Sequence, residues 1–186
     1  MTSRIRVDRA ARIVLAGGVI AYPTEAVYGI GCLPDLDEAL ARVLVLKRRA
    51  AGKGLIVVAA TIAQLEPLAE IPEGAIGAEI RKGWPGPITW IVPARPGVSP
   101  LLTGGRPTLA VRVSDHPIVR QLCQRTGSAL VSTSANRSGA MPAQTALGVR
   151  RQLGGDIDFV LAGPLGDSTR PTEIRDSATG AVIRPA

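Results

Sequence analysis

Three stretches of this sequence carry side chains suited to holding small anions. The first is Lys47-Arg48-Arg49, followed closely by Lys53. Arginine grips a phosphate or carboxylate through two parallel hydrogen bonds, and lysine supplies a compact charge. No acidic residue lies between Glu38 and Glu66, so this charge has no partner nearby in the sequence. The plainer reading is a solvated basic helix end, which suits the helix dipole. The second is Arg112, set in Ala110-Val111-Arg112-Val113. An arginine among apolar strand residues is seldom buried without a partner. A carboxylate is expected beside it, from an internal Asp or Glu or from a ligand. The third is Ser132-Thr133-Ser134-Ala135-Asn136, a crowd of short donors and acceptors at a strand end. Local capping of the backbone is its plainer reading.

These groups suit a small zwitterion and a polyphosphate lying side by side. Arg112 would take a carboxylate. Thr24 and Ser132 would take amine or hydroxyl groups. Lys47, Arg49, Lys53 and Ser134 would hold phosphates. No side chain stands out as a nucleophile, so catalysis would rest on positioning and charge stabilisation. Several other machines are missing. Gly52-Lys53 is followed by Gly54, which rules out a Walker A loop, and neither GxGxxG nor GxSxG occurs. His116, the single histidine, has no metal-site spacing to Cys32 or Cys123 and reads as a structural residue beside a helix start.

The elements must place these groups together. Val19 to Tyr22 reads as a strand that Pro23 ends, leaving Thr24 and Glu25 at its carboxyl end, where open α/β sheets bind ligands. Gly29 and Gly31 permit close backbone approach. A helix over Asp8 to Ala16 precedes this strand, with Gly17-Gly18 as its stop. A second helix, capped by Asp35 or Asp37, runs through about Arg49 and delivers the basic group. Leu55 to Ala60 is a strand covered on both faces. Thr61 to Gln64 reads as a capping box opening a third helix, and Ala75 to Trp84 as a fourth. Trp84-Pro85-Gly86-Pro87 must be a turn. Strands are expected at Ile88 to Val92 and Thr108 to Val113, joined by a Gly- and Pro-rich loop. Asp115 is expected to cap a helix from Pro117 to Thr126. Ala129 to Thr133 is a strand and Thr145 to Leu153 a helix. Short strands are expected at Phe159 to Leu161 and Val182 to Arg184. Strands alternating with helices predict one α/β domain, residues 1–186, with a twisted, mixed sheet flanked by helices.

The 186 residues suffice for one sizeable core, and 46% hydrophobic with 20% charged residues marks a globular chain. No apolar run could span a bilayer, and the N-terminus has no signal-peptide character. A cytoplasmic protein with reduced thiols is expected. A net charge of +7 favours anionic partners such as nucleotides or RNA. Only 3% of residues are aromatic, which argues against a stacking platform for single-stranded RNA but leaves weak tRNA or double-stranded RNA binding open.

Seven blocks fall in an order that resembles the YrdC-like family. They are Pro23-Thr24-Glu25-Ala26-Val27-Tyr28-Gly29, Lys47-Arg48-Arg49, Lys53-Gly54-Leu55, Trp84-Pro85-Gly86-Pro87, Ala110 to Val113, Ser132 to Asn136, and Glu173-Ile174-Arg175-Asp176. The chain is similar to the short, single-domain bacterial form. The resemblance implies a twisted α/β sheet around a concave, basic groove. It implies that L-threonine, bicarbonate and ATP, with Mg2+, give L-threonylcarbamoyladenylate and pyrophosphate. That product would pass to a threonylcarbamoyl transferase complex modifying tRNA to N6-threonylcarbamoyladenosine. Thr24, Arg112 and Ser132 match threonine-site positions. Arg49, Lys53 and Ser134 match ATP-site positions. Lys47 and Asn136 lie in the same motifs, and Arg175 would close over the nucleotide. Lys47 to Gly54 and Asp167 to Asp176 are the candidate closing segments. The rival reading is a double-stranded RNA-binding or ribosome-maturation factor using a basic groove without this catalysis.

Overall fold

Ten strands fall into two mixed sheets rather than the single one expected. The computed structural model of the chain describes residues 3–168, 170 and 172–186. Its helices are α1 (Arg4–Leu15), α2 (Asp37–Lys47), α3 (Gly74–Lys82), α4 (Pro100–Thr103), α5 (Pro117–Thr126) and α6 (Ala146–Leu153). Its strands are β1 (Ile20–Pro23), β2 (Tyr28–Gly31), β3 (Ile56–Ala59), β4 (Ile88–Pro93), β5 (Thr108–Val113), β6 (Leu130–Val131), β7 (Thr133–Ser134), β8 (Phe159–Val160), β9 (Glu173–Asp176) and β10 (Val182–Arg184). The smaller sheet has the order β7-β2-β1-β8 and the larger β10-β9-β4-β5-β3-β6.

The expected strand from Ala129 to Thr133 is where the two sheets part. Leu130–Val131 pairs with β3 in the larger sheet, and Thr133–Ser134 pairs with β2 in the smaller. Ser132 stands at the crossing, its N–H donating to Ile56 O at 2.8 Å. The close approach needed there depends on Gly31. A Cβ on it would lie 2.0 Å from Val131 O, far inside van der Waals contact. With hydrogen in its place, the β1–β2 hairpin backs onto β6, and the Tyr22 hydroxyl donates to Val131 O at 2.8 Å.

Other expectations shift for local reasons. α1 begins four residues before Asp8. Thr61 opens only a 3-10 turn, Ile62–Gln64. The Gln64 amide accepts from Ala60 N–H and donates to Cys123 O instead of capping a helix, and Pro67 and Pro72 follow. His116, not Asp115, is the residue before α5, and its N–H donates to Ser114 Oγ at 3.1 Å. The Gly- and Pro-rich segment after β4 contains α4, capped by Ser99 Oγ accepting from Leu101 N–H. β9, absent from the expectation, runs parallel to β4.

α1 and α5 pack against one another beside β1 and β3, burying Val7, Val14, Val119 and Leu122. A larger core on the other side gathers Leu40, Leu44, Trp90, Leu102 and Leu109. Each such side chain contributes roughly 1.5–3 kcal/mol on leaving water. Cys32 and Cys123 lie in these cores as free thiols, and burial pushes both up to about 12. Among the described residues no helix is long and apolar enough to cross a membrane.

Candidate active site

α2 ends through Arg48, which adopts the left-handed region with φ 49°. Arg49 N–H then donates to Leu44 O and Arg48 N–H to Val45 O, a closed helix end that does not use glycine. The turn divides the basic triplet. Lys47 points into the protein, Arg48 lies exposed, and Arg49 is returned to a cleft.

Lys47 is buried, with its ammonium donating to Ser134 O, to Asn136 O at 3.0 Å and to Asn136 Oδ1 at 3.2 Å. Ser134 Oγ donates to the same Oδ1 at 2.6 Å. The Asn136 amide donates to Arg137 O and Ala140 O. Lys47 and Asn136 therefore anchor the segment after β7 to the end of α2. Burial, and then the field of Arg49, lower the Lys47 ammonium to about 8.

Arg112 is buried on β5 and finds its carboxylate inside the protein. Nη2 donates to Glu25 Oε2 at 3.0 Å, and Nη1 to Thr172 Oγ1 at 2.8 Å and Thr89 Oγ1 at 3.1 Å. Its Nε is buried and has no partner among the described residues. Glu25 Oε1 accepts from Ser114 Oγ at 2.6 Å. Thr24 closes the turn after β1, its Oγ1 donating to Val27 O at 2.7 Å. Sequence reasoning set Glu25 at the ligand-binding end of its strand without giving it a role, gave Thr172 none, and missed Ser114. The signal for Glu25 was its place beside Thr24 together with the demand of Arg112 for an acid.

Two clefts meet at this point. One, of about 290 Å³, is lined by Thr24, Glu25, Arg112, Ser132, Ser134 and Thr172. Gly29 forms part of its wall, where a Cβ would stand 3.1 Å from both Ser132 Oγ and Thr24 Cγ2. The other, of about 210 Å³, has Lys53 and Arg106 on its rim and Leu55, Leu102, Leu109 and Ile183 as apolar lining. Arg49, Ile56 and Arg184 line both. Arg49 is held by its own loop, Nε donating to Gly54 O at 3.1 Å, and Arg106 Nη2 donates to Gly52 O. Among the described residues none of Arg49, Lys53, Arg106 and Arg184 pairs with a carboxylate. Burial, then the field of Arg106, lower the Arg49 guanidinium; burial, then Arg112, lower that of Arg184. Unpaired cations pressed together in this way favour an anionic ligand.

The remaining predicted residue lies elsewhere. Arg175 pairs with Glu173 and with Glu79, stacks over Trp90 and faces neither cleft. Of the expected closing tail, Thr169 and Pro171 lie outside the described residues. His116 is buried behind Glu25, and burial lowers its pKa. A wider hollow of about 650 Å³ on the outer side of α2 carries Arg42 paired with Asp158 and Arg137 with Asp156, so these charges are already matched. Among the described residues no three His, Cys, Asp or Glu side chains converge to hold a metal ion.

Comparison with known proteins places these features in context. The Sua5/YciO/YrdC family, described as "Telomere recombination", matches residues 12–186. The threonylcarbamoyl-AMP synthase of Alkalilimnicola ehrlichii is 48% identical over 189 residues, covering 98% of this chain and 97% of the relative. That of Pseudomonas aeruginosa is 48% identical over 186 residues and 100% of both chains. Among solved structures, P. abyssi Sua5 complexed with L-threonine superposes with a TM-score of 0.90 at 30% identity, over 96% of this chain and 53% of that one. E. coli YciO superposes with a TM-score of 0.83 at 26% identity, over 98% and 89%. The chain thus spans about half the length of the Sua5 protein and almost all of its bacterial relatives.

Proposed function

This chain belongs to the Sua5/YciO/YrdC family, and from that premise we propose that it is a threonylcarbamoyl-AMP synthase, a nucleotidyltransferase acting in tRNA modification. The observation that carries the reading is the pair of adjoining clefts, one built on Arg112 with hydroxyls and one rimmed by unpaired cations over an apolar lining. Arg112 receives the threonine carboxylate, with Thr24 and Ser132 close by for its other polar groups. The adenine lies on the apolar lining and the phosphates reach Arg49, Lys53 and Ser134. Lys47 and Asn136 support this side from behind by fixing the Ser134 segment. The clefts together would form the concave basic groove.

The threonine amine, once its ammonium form has given up a proton, attacks bicarbonate with loss of water, or carbon dioxide with loss of a further proton, giving a carbamate. A carbamate oxygen then attacks the α-phosphorus of ATP, and pyrophosphate leaves. That attack falls where the clefts meet, flanked by Arg49 and Arg184, whose charges offset the negative charge spreading over the phosphoryl oxygens. Mg2+ enters with ATP, bound by its phosphates, consistent with a site whose own ligands are cations and hydroxyls. Because carbamates are labile in water, closure of Lys47 to Gly54 or of the tail would protect the intermediate. The product passes to a threonylcarbamoyl transferase complex in the cytoplasm. Incubation with 13C-bicarbonate, ATP and L-threonine should yield labelled threonylcarbamoyl-AMP by mass spectrometry. Its absence, from folded protein with all three substrates, overturns the proposal.

A further inference from the structure

Among the described residues Glu25 is the only acid lining the threonine-side cleft. It is buried, and its carboxylate is fixed from two sides by Arg112 Nη2 and Ser114 Oγ. Its backbone is fixed as well, Ser168 N–H donating to Glu25 O at 3.2 Å and Gly166 N–H to Thr24 O at 3.0 Å. Buried ion pairs of this kind add little to stability over apolar residues of the same volume, so the pair calls for another purpose. Two features of it are unfinished. Arg112 keeps a buried Nε–H without an acceptor among the described residues. Each Glu25 oxygen accepts one of the bonds described above, and a carboxylate oxygen can accept two.

Resting on the threonine-site reading above, we propose that Glu25 recognises the ammonium group of the substrate. The Arg112–Glu25 pair then complements the α-amino acid zwitterion. An α-amino acid carries its positive and negative groups on one carbon, and the cleft presents the opposite charges 3.0 Å apart. The substrate carboxylate completes Arg112 at Nε, and the ammonium donates to Glu25. Thr24 and Ser132 are left for the threonine side-chain hydroxyl. Such an arrangement selects α-amino acids over hydroxy acids that carry the carboxylate alone, because the latter leave Glu25 buried beside a second anion with no cation between them.

Isothermal titration of wild-type protein with L-threonine and with 3-hydroxybutanoate, which lacks the amine, tests this. Threonine should bind about 10- to 100-fold more tightly, the range of a charge-assisted hydrogen bond. Glu25→Gln keeps the shape and an acceptor for Arg112 but removes the charge. It should reduce that preference about tenfold or more while the ATP dissociation constant stays within about twofold. An unchanged preference overturns the inference, and so does equal weakening of threonine, 3-hydroxybutanoate and ATP. If Glu25→Gln loses its thermal transition, Glu25→Asp, which keeps the charge but withdraws it by one methylene, takes its place. A reduced preference there supports the inference and an unchanged one overturns it. Wild-type protein that binds both acids alike defeats this inference alone. Wild-type protein that binds no threonine defeats the proposed function and the inference with it.

Discussion

Two sets of cations that begin two residues apart, at Lys47 and at Arg49, have opposite surroundings. Lys47 is spent on the fold, its ammonium enclosed by oxygens of Ser134 and Asn136. Arg49, Lys53, Arg106 and Arg184 sit around the clefts with no carboxylate partner among the described residues, and burial, then the field of Arg106, lower the Arg49 guanidinium. What separates the sets is the left-handed turn at Arg48. The comparison teaches that a run of like charges in a motif need not share a task. One member builds the wall, and another lines the clefts.

That division is broken most severely by Lys47→Met. The variant leaves the Ser134 and Asn136 carbonyls buried without their donor, at a cost of about 3 kcal/mol, or a fall of about 6–12 °C in Tm. Both substrates should bind more weakly, since the Ser134 segment moves. An unchanged Tm with ATP binding alone impaired would place Lys47 with the ligand-facing set. Arg49→Ala and Lys53→Ala sharpen the comparison from the other side. ATP affinity should drop about 10- to 100-fold for Arg49 and about 10-fold for Lys53 by titration. Tm should stay within about 2 °C for Lys53, which is exposed. Equal losses of threonine affinity would show that the two clefts are not separable.

Gly29→Ala probes the threonine side with a smaller effect. Its methyl meets Ser132 and Thr24 at 3.1 Å, so threonine affinity should fall several-fold, about 1 kcal/mol, with ATP affinity kept. A methyl that left both affinities untouched would mean threonine does not reach this wall. A last test of Lys47 is in pH. Lys47 titrates near 8 in the folded chain and at 10.5 when unfolded. Between those values the unfolded chain holds the proton that the folded chain has released, so stability rises with pH across that window. Denaturant unfolding should show this rise in wild type relative to Lys47→Met, and a constant difference would contradict it.

The alternation of helices and strands, and most element positions, were legible because apolar runs and Gly or Pro stops mark them locally. The split of Ala129 to Thr133 between two sheets was not, since it is decided by Gly31 meeting Val131, residues distant in the chain. β9 escaped for the same reason: its pairing with β4 is a tertiary fact that Glu173-Ile174-Arg175-Asp176 does not announce. At the site, the need of Arg112 for an acid was legible, but which acid was not. Glu25 reaches it only because the fold brings the end of β1, in the smaller sheet, up to Arg112 on β5, in the larger. Arg175 illustrates the converse, a cation in a suggestive motif that the fold gives to Glu79 and Glu173.

The central claim is that two adjoining half-sites, one for threonine and one for ATP, act together. Pyrophosphate release from purified protein with ATP, bicarbonate and Mg2+, measured with and without L-threonine, tests it most directly. The account predicts release that depends on threonine and is lost in both Arg112→Ala and Lys53→Ala. Release indifferent to threonine, or none from well-folded protein that instead binds double-stranded RNA tightly, would contradict it.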